Sequence, residues 1–168
     1  MCKHNICAQL WTLLNSSEIP EINSNKTKKG VACVIYDTNT EKIILGRENY
    51  GRYQGKLSLC AGGLESQDDN CFIGALKREL FEEFKLNFDW KNFNKCFKSH
   101  GVFNIVIHHG TPVFRGKYPI DINELNKINK QYVNSNNPAL REMSELVLVD
   151  PNNLPNDVSS FVKAVLKY

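Results

Sequence analysis

From Phe72 to Phe84 an apolar residue recurs every fourth position, at Phe72, Leu76, Leu80 and Phe84, with Ile73 and Ala75 beside them. That period draws a greasy stripe down one side of a helix, which has to bury against a sheet. Other stretches carry the strand signal. Residues 31–36 (VACVIY) and 42–45 are dense in β-formers around a turn-like 37–40, a hairpin. Leu57, Ser58 and Leu59 alternate as a strand, and residues 97–109 and 112–116 hold further β-rich runs. Val102, Phe103, Ile105, Val106 and Ile107 are too apolar to be exposed on both faces. Helical spacing returns at residues 6–14 (Leu10, Trp11, Leu14 on one face), 120–132 (Ile122, Leu125, Ile128) and 158–166, with a strand at 146–149. Strands, central helix, strands and final helix predict an α/β fold, an α/β/α sandwich around a mixed sheet.

At 168 residues the chain has room for one domain with a proper core. We expect a single domain over 1–168, with 1–28 an N-terminal helix and linker; the polar, proline-containing stretch 15–29 is the linker itself. A net charge of +3 is too small to announce nucleic-acid binding by itself. No apolar run approaches the roughly 20 residues that span a bilayer, so no membrane partner is expected. The six cysteines, Cys2, Cys7, Cys33, Cys60, Cys71 and Cys96, form no C-x-x-C pair. Their spread fits reduced thiols in a cytoplasmic or nuclear setting. Cys2, His4 and Cys7 lack a second ligand pair at finger-like spacing and read as incidental.

The chemistry concentrates on the central helix. Glu79, Glu82 and Glu83 stand at i, i+3 and i+4, so their side chains share one patch of surface. Each like-charged neighbour costs about 0.2–0.5 kcal/mol on an isolated helix, and a bound divalent cation relieves that crowding. Carboxylate oxygens suit Mg2+, which keeps waters for exchange with substrate phosphates. Gly62 and Gly63 ahead of the helix let backbone amides approach an anion. A solvated acidic face is the plainer alternative. Arg78 either forks onto a carboxylate to hold the patch in place or faces solvent.

These residues resemble the box of the Nudix hydrolase family: G, five residues, E, seven residues, then R-E-U-x-E-E-x-G-U with U aliphatic. Gly63 matches the first glycine, Glu65 a frequent acidic position, and Arg78, Glu79, Leu80, Glu82, Glu83 and Leu86 the second half. The sequence departs from the pattern twice. Five residues on from Gly63 comes Asp69, one place too far from Arg78, while counting back from Arg78 reaches Asn70. Lys85 stands where the pattern has its last glycine, a position that usually takes the left-handed conformation.

The resemblance implies the Nudix fold and metal-dependent hydrolysis of a diphosphate linkage in a nucleoside diphosphate joined to another group. Glu79, Glu82 and Glu83 would hold Mg2+ or Mn2+, with Asp69, Glu142 and Glu145 as further candidate ligands. Glu83 or Glu79 would accept the proton of the attacking water, and Arg78 would orient the carboxylates. Gly62 and Gly63 would shape the loop toward substrate.

Between hairpin and helix, Arg47, Tyr50, Arg52, Tyr53 and Lys56 interleave cations with aromatics, a composition that can pair with phosphate and stack a base. His100, His108 and His109, near strand ends, could bind substrate or shuttle protons. Substrate classes in the family include nucleotide sugars, ADP-ribose, dinucleoside polyphosphates and capped RNA, and the loops that choose among them cannot be folded from sequence. The competing class is a Nudix-fold module that binds a nucleotide without cleaving it. The oligomeric state is not legible.

Overall fold

The computed structural model describes residues 2–15 and 29–167. All but the two ends of the linker expected over 15–29 lies outside those residues. The first helix, α1 (Asn5–Asn15), buries Cys7, Leu10 and Leu14, the face its spacing predicts. Its Trp11 ring packs on Phe72, and the indole N–H donates to the Asn70 carbonyl at 2.7 Å.

A seven-stranded mixed sheet forms the middle layer. Its centre is β1 (Gly30–Asp37), which runs parallel to β8 (Thr111–Tyr118) and antiparallel to the strands on its other edge. That edge is shared. β4 (Cys60–Gly63) pairs with residues 30–33 of β1, while β2 (Ile43–Glu48) meets it at Tyr36 and Ile43, so the expected hairpin forms only at its turn. The β2 strand also pairs with β3 (Leu57–Ser58) and with β9 (Met143–Val149), and β7 (Ile105–His108) flanks β8. A separate two-stranded ribbon joins β5 (Lys98–Ser99) and β6 (Val102–Phe103).

Alternation along β1 divides the core. Val31, Cys33 and Ile35 point to one side, where α2 (Phe72–Phe84), α1, α3 (Trp90–Phe97) and α4 (Ile122–Gln131) cover them. Ala32 and Val34 point to the other, where α5 (Ser160–Leu166) adds Val162 and Val165. Period-two strands with apolar residues at both parities need a helix layer on each face, and the sandwich follows.

The structure adds one element that the sequence reading lacked. Residues 90–97 form α3, a helix absent from the sequence reading; Asp89 caps it by accepting from the Asn92 amide at 2.7 Å. Its aromatics Phe93 and Phe97 pack edge-on to Phe114, so burial of three rings fixes a segment with little intrinsic helix propensity. Val102 is 68% exposed while Phe103, Ile105 and Ile107 pack against the core, so this apolar run is exposed on one face and covered on the other.

Candidate metal centre

The centre is built on α2. Its apolar stripe seats against β1 and β4, and this docking carries Glu79 and Glu83, one helical turn apart, inward with it; they are 5% and 2% exposed. Glu142 reaches the same place from the other end of the chain. It sits between a 3-10 turn (Pro138–Arg141) and β9, and β9 pairs with β2 so that Met143 stands opposite Glu48. Carboxylate oxygens of Glu79, Glu83 and Glu142 all lie within 4.8 Å of one another. Glu82, Asp69 and Glu145, named with them from the sequence, are not members of that group.

Burial and mutual repulsion show in the acidities. Glu79 is pushed up to about 7, chiefly by burial. Glu83 is raised well above the carboxylate range by burial and then by the charge of Glu79. Glu142 is raised by burial and by Glu82, and Glu48 by burial and by Glu142. Four carboxyl groups thus gather where desolvation disfavours their charge. Hard oxygen donors so placed are the donor set of Mg2+ or Mn2+, and the residues fit such an ion.

Gly62 makes the inward position of Glu79 available. A Cβ at Gly62 would collide with the Glu79 carboxylate, so only glycine lets β4 and α2 close around that side chain. The Ala61 amide donates to Glu83 Oε1 at 3.3 Å.

Arg78 holds the rest together. Its Nη1 donates to Glu79 Oε1 at 2.8 Å and to Glu82 Oε2 at 3.0 Å, and its Nη2 to the Gly63 carbonyl at 3.1 Å. The other side of the guanidinium forks onto Asp68, with Nε to Oδ1 at 3.1 Å and Nη2 to Oδ2 at 3.0 Å. Burial works against the Arg78 charge, but Asp68 and Glu79 more than offset it. Asp68 belongs to the 3-10 turn Ser66–Asp68, where its Oδ2 also accepts from the Glu65 amide at 2.7 Å.

Asp68 was missed from the sequence, and the signal was present. Taken from Gly62 rather than Gly63, five intervening residues lead to Asp68. Asp69 and Asn70, the two residues reached by counting from Gly63 and from Arg78, are exposed and left-handed. They absorb the extra length between Asp68 and Arg78.

Lys85 adopts the left-handed C-cap conformation with φ 59°, and the amides of Lys85 and Leu86 close the helix end onto Phe81 and Leu80. Its ammonium does more than complement the helix dipole. Buried against the Tyr132 ring, it donates to the Glu82 carbonyl and, at 3.1 Å, to the Leu140 carbonyl. The next two carbonyls are held by Asn49: its side chain donates to Arg141 O at 2.7 Å and its backbone amide to Glu142 O at 2.8 Å. Three consecutive carbonyls leading to Glu142 are thereby fixed.

The loop residues divide between two places. Glu48 and Tyr50 line a 220 Å3 cavity together with Gly51, Glu142 and Met143, and Tyr50 Oη accepts from Arg141 at 3.0 Å. Arg47 is engaged elsewhere, by Glu145 at 2.6 Å, Asp157 at 2.7 Å and the Gly55 carbonyl at 2.9 Å. Arg52 lies over the Tyr53 ring, whose hydroxyl accepts from Ser160 of α5, and Lys56 is exposed. Among the histidines, His108 packs on Phe161 of α5, across the sheet from α2, and His100 is exposed.

No family model and no curated protein matches the chain. Solved structures do. A NUDIX hydrolase from Nitrosomonas europaea superposes with a TM-score of 0.50 at 17% identity, over 86% of this chain and 72% of that one. The NUDIX domain of Shewanella oneidensis NrtR, crystallised with ADP ribose, gives 0.50 at 11% identity, over 93% and 96%. At such identities the likeness speaks for architecture, and the chain has the Nudix fold.

Proposed function

We propose that the chain hydrolyses a diphosphate linkage in a nucleoside diphosphate joined to another group, using a divalent cation on Glu79, Glu83 and Glu142. The observation that carries this reading is the convergence of those three carboxylates, two of them buried, within 4.8 Å. Mg2+ or Mn2+ there would neutralise phosphate oxygens and acidify a water. Glu82 and Asp68, through Arg78, keep Glu79 aimed inward. Substrate phosphates would meet the carboxylates from the 220 Å3 cavity, where the Tyr50 ring is available to a base or ribose. Glu48 lines that cavity without belonging to the cation group, and its raised affinity for protons suits it to take one from the attacking water. Water adds to one phosphorus, the bridging oxygen leaves with the other, and two phosphorylated products form.

This assignment moves Glu142 into the ion's shell and leaves Glu82, Asp69 and Glu145 outside it. The N-terminal 1–28 would be an extension of one domain, anchored through α1. Support for a nucleotide-type substrate comes from the fold, whose NrtR example was crystallised with ADP ribose. A panel of ADP-ribose, nucleotide sugars, dinucleoside polyphosphates and capped RNA, with and without Mg2+ or Mn2+, tests the proposal. Metal-dependent product formation, abolished by Glu83→Gln, supports it; tight nucleotide binding without turnover in every condition replaces it with a binding module.

A further inference from the structure

At the opposite end of α2 a second group of ligand atoms converges. The sulfurs of Cys2, Cys7 and Cys71 all lie within 4.8 Å of one another. Cys2 and Cys7 come from α1 and the residues just before it, while Cys71 caps α2, so folding alone brings them together. The acidic centre is well separated from them: Glu79 stands eight residues down the helix from Cys71, about 12 Å at 1.5 Å per residue.

The geometry points to a thiophilic cation site on Cys2, Cys7 and Cys71, for Zn2+ with water in the fourth position or for three-coordinate Cu(I). Two sulfurs bound to one tetrahedral Zn2+ at about 2.3 Å stand roughly 3.8 Å apart, and Cys7 and Cys71 are separated by 3.8 Å. A thiol–thiol contact alone gives a similar spacing; what goes beyond such a pair is the third sulfur, Cys2, within 4.8 Å of both. The Gly74 amide donates to the Cys71 sulfur at 3.3 Å, and the Ile73 amide donates to the Cys7 sulfur. Burial raises the Cys7 and Cys71 thiols, so both are protonated in the metal-free protein, and amides at the helix N-terminus would stabilise the thiolates that a bound cation leaves. Half-exposed Cys2 gives a cation its way in, and soft sulfur donors exclude Mg2+ in favour of Zn2+ and Cu(I). Each coordinating thiol gives its proton to solvent.

A bound ion would staple α1 to the start of α2, reinforcing the Trp11 to Asn70 hydrogen bond. The site is independent of the diphosphate-cleavage reading and is tested apart from it.

Full-length protein, reduced and stripped with chelator, is titrated with Co2+ as the spectroscopic probe for Zn2+ and, separately, with Cu(I) against a chromophoric competitor. Thiolate-to-metal charge transfer in the near ultraviolet, saturating at one equivalent of sulfur-bound ion, is the expected result with either, since Co2+ on the carboxylates gives no such band. Cys7→Ser and Cys71→Ser should abolish it. Cys2→Ser, at the most exposed of the three, should weaken uptake roughly tenfold or more. Glu83→Gln should leave it unchanged. Absence of charge transfer with both cations, uptake indifferent to the cysteine substitutions, or a Cys7–Cys71 disulfide in protein that takes up no metal after reduction, each overturns the site.

Discussion

Arg78 and Asp68 meet in a two-pronged ion pair, Nε to Oδ1 at 3.1 Å and Nη2 to Oδ2 at 3.0 Å, with side chains 14% and 4% exposed. Removing Asp68 leaves the guanidinium on Glu79 and Glu82 but takes away its fork, and a hydrogen bond to a charged group contributes about 1.5–3 kcal/mol. Asp68→Ala should therefore lower unfolding free energy by about 3 kcal/mol and weaken divalent-cation binding, since Glu79 loses its guided guanidinium. Asp69→Asn, which keeps a residue tolerant of the left-handed conformation, should stay within about 0.5 kcal/mol. Urea unfolding of both variants decides; equal effects would return Asp69 to the role.

Gly62→Ala puts a methyl group where the Glu79 carboxylate lies. The helix stripe and sheet are untouched, so far-ultraviolet dichroism should match the parent. Displacement of Glu79 should cut kcat/KM for the cleaved substrate roughly a hundredfold. A variant of parental activity would show that Glu79 need not face inward.

The pH dependence of stability in chelator has a definite sign. Burial lifts Glu79 to about 7, above the ordinary carboxylate value of 4.5, and Glu83, Glu142 and Glu48 move in the same direction. Folded protein therefore holds these protons more tightly than unfolded chain. The stability they contribute is complete below about pH 4.5 and is lost as pH rises through 7. Melting temperature should fall by a few degrees across that window for a chain of this size. Mn2+, which binds the ionised carboxylates, should flatten the decline. A rise with pH in chelator would contradict the burial of this group.

Lys85 links the carbonyls of Glu82 and Leu140, and Asn49 holds the next two carbonyls before β9. Lys85→Met leaves those two acceptors unpaired at about 1–3 kcal/mol and frees the turn that presents Glu142. Weaker Mn2+ binding, severalfold, should accompany lower stability, and Asn49→Ala should weaken Mn2+ binding in the same way. Loss of stability with unchanged Mn2+ affinity would reduce both residues to packing.

For the loop, Tyr50, just beyond β2, and Arg47, within it, predict different kinetics. Tyr50→Ala should raise KM, roughly tenfold, with little change in kcat, because its ring lines the cavity beside Glu142. Arg47→Ala should cost stability, through the lost pairs to Glu145 and Asp157, and leave KM unchanged. Steady-state kinetics with melting curves separates the two.

The central helix was legible because one stripe, Phe72 to Phe84, fixed its face, and the acidic spacing came with it. The sandwich followed from the order of patterned segments. Glu142 and Glu48 were harder. Their meeting depends on the β2–β9 register, a pairing across nearly a hundred residues that local periodicity does not encode. Arg47 looked like a phosphate ligand because composition cannot tell which face of a strand a cation takes; here it turns to Asp157 and Glu145. Asp68 was hidden by the choice between two adjacent glycines, and α3 by its reliance on tertiary aromatic burial. Cys71 joins Cys2 and Cys7 only through the docking of α1, so spacing along the chain concealed that group as well.

Mn2+ titration of chelator-stripped protein, followed by the loss of the free-ion paramagnetic signal, tests the acidic centre most directly. We expect saturable binding at neutral pH that Glu83→Gln, Glu79→Gln and Glu142→Gln each weaken tenfold or more, while Glu145→Gln leaves it intact. Binding that is absent, or that ignores all three substitutions, would contradict the assignment.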